Sequence, residues 1–219
     1  QNKFNLFIVL SGVWNVLREQ TVDRLKKDIT SLGNTDEIFT YLPEINNTST
    51  DTLFSLTLDS TSNRRYLNVT IKQISRLKGL LNWFKSKNGQ ANLKKVRVVI
   101  IDDEADQASI NSNAGSDSDN EGNEEDIKDR TAINRALVNL LKFLQLNAES
   151  VQYIAYTATP YSCFLNESLP ESLYPQDFIQ VLNSSNYYIG AKEVFGHQEA
   201  NTYAQTLGMD IIRVVDHPE

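Results

Sequence analysis

Two hydrophobic periods alternate along this chain. Short runs rich in β-branched and aromatic residues, "LFIVL" (6–10), "YLNVTIK" (66–72), "VRVVII" (96–101) and "VQYIAY" (151–156), read as strands. Between them apolar residues recur at helical spacing: Leu17, Val22, Leu25 and Ile29; Ile74, Leu77, Leu81 and Phe84; Ile133, Leu137, Leu140, Leu141 and Leu144. The near-continuous run at 96–101 is the pattern of a strand covered on both faces. Strands alternating with helices of this length predict an α/β fold, a mostly parallel sheet flanked by helices. Residues 33–63, rich in Thr, Ser and Asn, read as a surface excursion holding at most a short element or two. Residues 111–126 are acidic and almost free of apolar side chains, which predicts a flexible loop. Past Pro160 the pattern weakens to short runs at 177–182 and 211–215.

Composition narrows the class. With 219 residues, 40% apolar and 22% charged, the chain suits one soluble domain, or one and part of another. A net charge of −7 argues against a generally basic nucleic-acid coat, though not against a local basic groove. One cysteine, Cys163, and two distant histidines, His197 and His217, exclude an internal disulfide and a Cys/His zinc site. No apolar run approaches the roughly 18 residues of a membrane span, and the first residues lack the organisation of a signal peptide. The expectation is a cytoplasmic protein without a membrane partner.

Ligands in parallel sheets bind beyond the carboxyl ends of the strands. The pattern places Ser11-Gly12, Lys72, Asp102-Asp103-Glu104 and Thr157-Ala158-Thr159 there. An apolar strand running into Asp-Glu suits Mg²⁺ held against nucleotide phosphates: the tip aspartate takes the ion, and the glutamate polarises the attacking water. The plain alternative is a strand ending in solvated acids. The register of the metal acid is open by one, so Asp102 can share or replace the role of Asp103.

Other features carry less. The spacing at 117–128 approaches a calcium loop but fails at its twelfth position, Lys128. The acid-x-Lys string "EDIK" lies in low-complexity sequence and reads as chance. Lys85, Lys87, Lys94, Lys95 and Arg97 cluster at the amino end of their strand, opposite the expected site, and read as a solvated face. Trp14 and Trp83 are expected to pack, and Cys163 to be a small buried side chain.

"DEAD" (103–106), followed in order by "YTATP" (156–160), resembles motifs II and III of superfamily 2 helicases and translocases. More narrowly, "DDEADQASIN" (102–111), "YTATPYS" (156–162), "LYPQDFIQVLNSSNYYIGAKEVFG" (173–196) and the opening "FIVLSGVWNVLREQTVDRL" are similar to the bacterial Z-one endonuclease-domain family. That family has a helicase-like ATPase core and occurs in DNA restriction and phage-defence settings. The resemblance implies a RecA-like first motor domain using ATP and Mg²⁺. Asp103 would be the Mg²⁺-associated acid and Glu104 the water-activating base. Asp106, Thr157 and Thr159 would couple nucleotide state to nucleic-acid binding. Ser11 and Gly12 would touch DNA backbone, with Arg18 and Gln20 as further contacts.

No G-x-x-x-x-G-K-[ST] string occurs in the chain. The resemblance places that phosphate loop upstream and a second motor domain elsewhere. The expectation is therefore a fragment: residues 1–165 a partial motor domain, with 33–63 an insertion and 111–128 an acidic loop. Residues 166–219 would be its extension or the start of a linker. Such a fragment is not expected to hydrolyse ATP. Lacking the phosphate-loop strand, it should leave the "YIAY" strand at an exposed edge open to self-association. Two alternatives stand beside this: a non-hydrolysing interaction domain, and an endonuclease with its metal at Asp102, Asp103 and Glu104.

Overall fold

The apolar runs become strands of one all-parallel sheet. A computed structural model describes residues 4–31, 39–45, 64–86, 93–107, 124–160, 173 and 177–183. The strands are β1 (Leu6–Ser11), β2 (Phe39–Tyr41), β3 (Arg65–Thr70), β4 (Arg97–Asp103) and β5 (Ser150–Ala155). The helices are α1 (Asn15–Ser31), α2 (Ile74–Lys85) and α3 (Glu124–Asn147). The strand order is β2-β3-β1-β4-β5, and every pairing is parallel. This is the predicted α/β architecture, and it is consistent with a RecA-like fold.

Alternation along the strands divides the core between two faces. Leu6, Ile8 and Leu10 of β1, Tyr66 of β3, and Val98 and Ile100 of β4 pack with Leu77, Leu80, Trp83 and Phe84 of α2. Leu137, Leu140, Leu141 and Leu144 of α3 complete that cluster. On the opposite face Val9, Leu67 and Val69 meet Val22, Leu25 and Ile29 of α1. Central strands covered on both sides need apolar residues at both parities, which explains the unbroken runs in β1 and β4.

Residues 33–63 do contain a short element: β2, three residues long, at one edge of the sheet. β5 forms the other edge of the described sheet, where the "YIAY" run was expected to lie. Helix α3 begins at Glu124, several residues before the periodic stretch that announced it, so the acidic loop is shorter at its carboxyl end than expected. Most of that loop and the 211–215 run lie outside the described residues, as do Lys87, Cys163, His197 and His217.

The chain divides into two compact units, 1–174 and 175–219. In the second unit the described residues 177–183 form neither helix nor strand, and Phe178, Ile179, Val181 and Leu182 are exposed. Among the described residues no helix is long and apolar enough to cross a membrane.

Candidate functional site

Strand parity decides which aspartate is free. Residues 98, 100 and 102 of β4 share the face covered by α2 and α3, so Asp102 turns inward and Asp103 outward. Asp102 is 0% exposed. Lys72 Nζ, equally buried, forms an ion pair with Asp102 Oδ1 at 3.0 Å, and the Tyr153 hydroxyl donates to Asp102 Oδ2 at 2.6 Å. Both carboxylate oxygens therefore face the protein interior. The expectation that Asp102 shares or replaces Asp103 as the metal acid does not fit this placement. Asp103 is exposed at the strand tip, and its Oδ1 accepts the Glu104 amide at 3.1 Å.

The turn after β4 is held from beneath. Lys72 Nζ also donates to the backbone carbonyls of Asp103, at 2.7 Å, and Glu104, at 2.6 Å. Two protons of the ammonium thus go to carbonyls, and the Asp102 carboxylate balances its charge, as a buried lysine requires. Glu104 adopts a left-handed backbone, φ 50°, and its carbonyl closes the turn by accepting the Gln107 amide at 2.8 Å. The Lys72 amide bonds the carbonyl of Gly12 at 2.7 Å, joining this turn to the loop after β1. Gly12 itself has φ 39°, and a Cβ there would lie 2.9 Å from Leu17 Cδ1.

The second loop meets the first at Asp106. Thr157 Oγ1 donates to Asp106 Oδ1 at 2.7 Å, and Thr159 Oγ1 donates to Asp106 Oδ2 at 2.6 Å. Thr157 Oγ1 in turn accepts the Thr159 amide at 3.0 Å. Two backbone bonds lie alongside, Ala105 N to Tyr156 O at 2.9 Å and Tyr156 N to Asp102 O at 2.8 Å. Burial raises the Asp106 pKa, but hydrogen bonds from Thr159, Thr157 and its own backbone, with the Lys72 charge, outweigh it. The carboxyl is held below its ordinary 3.8. The three residues named as coupling partners are thus one hydrogen-bonded cluster.

The residues assigned to DNA contact are more scattered. Ser11 is buried, and its hydroxyl points to the Thr70 carbonyl at 3.4 Å, so its side chain is not presented to a ligand. The Gly12 carbonyl is taken by Lys72. Arg18 Nε lies 3.8 Å from Glu44, which also pairs with Arg76 at 3.3 Å. Gln20 is exposed on α1. Trp83 is buried as expected, but Trp14, in the turn between β1 and α1, is 70% exposed and belongs to neither core cluster. At the other end of the sheet, Arg97 pairs with Glu149 at 2.6 Å, and Lys94 and Lys95 are exposed.

Among the described residues no three His, Cys, Asp or Glu side chains converge to hold a metal ion. A Mg²⁺ bound chiefly through water and phosphate oxygens asks for only one or two protein carboxylates, which exposed Asp103 fits. A cage of three acids at 102–104 does not fit, because Asp102 is turned into the core. No protein-family model, curated protein or solved structure matches the chain.

Lys72 and Tyr153 are the residues to which sequence reasoning gave no role. Lys72 stood at a strand end on the parity of Asn68 and Thr70, the polar side of "YLNVTIK", so nothing in the alternation marked it as buried.

Proposed function

We propose that this chain is part of the first motor domain of an ATP-dependent, DNA-acting helicase-like or translocase-like protein of the Z-one endonuclease-domain family, in bacterial restriction or phage defence. The observation that carries this reading is the sharing of Asp106 by Thr157 and Thr159. It joins the acidic turn to the Thr-Ala-Thr loop, the contact that a coupling function requires and that a plain solvated strand end does not.

In this reading Asp103, exposed at the tip of β4, faces the cation, and half-buried Glu104 beside it orients the attacking water and takes its proton. Bound Mg²⁺ would supply charge neutralisation to the phosphate oxygens. Asp106 links the turn to the second loop, so movement of one carries the other. The phosphate-binding loop such chemistry needs is not in this sequence, so hydrolysis belongs to a protein that carries one, in the same cytoplasmic setting. The endonuclease alternative is disfavoured by the inward turn of Asp102.

The test is DNA-stimulated ATP hydrolysis by the full-length protein. Glu104→Gln should lower turnover by about 100-fold or more while nucleotide binding persists. Hydrolysis that is absent in the full-length protein, or insensitive to that change, would sink the reading. ATP-independent, metal-dependent cleavage of plasmid DNA lost on Asp103→Asn would favour the endonuclease instead.

A further inference from the structure

We infer that Lys72 is the positioning residue of the acidic turn, fixing the backbone of Asp103 and Glu104 from inside the sheet so that their carboxylates are held ready for a divalent cation. This rests on the proposed reading only for the cation; the fixing of the turn stands on geometry alone.

Three observations converge. First, Lys72 does more than balance the charge of Asp102: two of its protons go to the carbonyls of Asp103 and Glu104, the residues that carry the exposed and half-buried acids. Second, Glu104 is a non-glycine residue at φ 50°. Such conformations are costly and persist only where the surroundings over-determine them. The bond from Lys72 to the Glu104 carbonyl holds it from inside the sheet, beside the local bonds of the Glu104 amide to Asp103 Oδ1 and of the Gln107 amide to the Glu104 carbonyl. Third, Lys72 is itself anchored, with its amide on Gly12, its ammonium on Asp102, and Asp102 on Tyr153. It reaches from β3 past β1 to β4, so the turn is referenced to three strands rather than to its own flanks. Arginine is a poor substitute, because a planar fork does not match two carbonyls and a carboxylate gathered around one nitrogen.

The experiment uses the present chain and two variants. Lys72→Met removes the ammonium but leaves Asp102 buried without its counter-ion. Lys72→Met/Asp102→Asn removes that charge as well, and keeps an acceptor for Tyr153, so that the fold survives. Two readouts are taken: amide hydrogen exchange at Ala105 and Gln107 against amides of α2 and α3, and Mn²⁺ affinity by titration, with Asp103→Asn as the site control. In the double variant the helices should keep their protection, while the turn amides exchange about 10-fold faster or more and Mn²⁺ binds about 10-fold more weakly. A folded double variant with wild-type exchange at the turn would overturn the inference. So would one with a loosened turn but unchanged Mn²⁺ affinity. If wild-type Mn²⁺ binding proves indifferent to Asp103→Asn, the cation part of the inference fails while the proposed function still stands on its own assay. Turn exchange alone then decides whether Lys72 fixes the turn: faster supports it, unchanged refutes it.

Discussion

Removing the Asp106 carboxylate should uncouple the two loops, and a double-mutant cycle measures by how much. The perturbations are Asp106→Ala, Thr157→Val, Thr159→Val and the two pairs with Asp106→Ala. Hydrogen bonds to a charged group are worth about 1.5–3 kcal/mol when fully shielded. Here the Thr157 bond is partly buried and the Thr159 bond is exposed, so water competes with both. Scaling for exposure gives couplings of about 1 kcal/mol for Asp106 with Thr157 and about 0.5 kcal/mol with Thr159. Thr157→Val should cost more than its coupling alone, because its hydroxyl also accepts the Thr159 amide.

Urea unfolding followed by the fluorescence of buried Trp83 is a suitable assay, with exposed Trp14 changed to Phe to remove its background. With a slope of about 2 kcal/mol per molar, a 1 kcal/mol change moves the midpoint by about 0.5 M. A coupling between Asp106 and Thr157 below about 0.3 kcal/mol, the scale at which distant residues already appear additive, would refute the argument. The two loops would then be neighbours without being joined.

Two further outcomes follow from the same end of the sheet. The Asp106 carboxyl is held below its ordinary 3.8 in the folded chain, so its contribution is fully present above that unfolded value and is lost as pH falls through the lower folded one. The stability gap between the wild type and Asp106→Asn should thus be constant near neutrality and close below about pH 4 in acid titrations followed by circular dichroism; a gap that widens there would contradict the sign. Gly12→Ala should lower stability by about 1–2 kcal/mol through its left-handed backbone, a drop in Tm of about 2–8 °C by calorimetry. The overlap with Leu17 adds little, since the atom met is the end of a flexible side chain, and an unchanged Tm would show that the loop relaxes to a negative φ.

The elements legible in the sequence were those whose residues satisfy local and tertiary demands together. The apolar stripe of α2 and the two-faced runs of β1 and β4 announced themselves by period, since burial there is contiguous along the chain. β2 was only weakly visible because an edge strand of three half-buried residues has no period to display. The start of α3 was hidden for a different reason: residues 124–131 are polar but for Ile127, so no apolar period marks them in the sequence. In the site, the pairing of Asp106 with Thr157 and Thr159 was anticipated from the resemblance, not from spacing. The choice between Asp102 and Asp103 was not available from alternation, because β4 is apolar at both parities; it needed the placement of α2 and α3 over the face of Val98 and Ile100.

Charge at this end of the sheet restricts what can dock there. Of the carboxylates at 102, 103, 104 and 106, Asp102 is paired with Lys72 and Asp106 is satisfied by two hydroxyls. What remains facing outward among these is the acidic pair Asp103 and Glu104, while Lys72 is buried beneath them, paired with Asp102 and bonded to two carbonyls. A bare phosphate approaching that pair meets like charge, whereas a divalent cation meets attraction. On the proposed reading, phosphate therefore reaches the turn only together with its metal ion. On the same reading a nucleic-acid backbone would be held away from the turn, its state communicated through the Thr157–Asp106–Thr159 junction. That arrangement makes the rigidity of the turn the quantity on which the proposed coupling depends, and Lys72 is the side chain that supplies it from below.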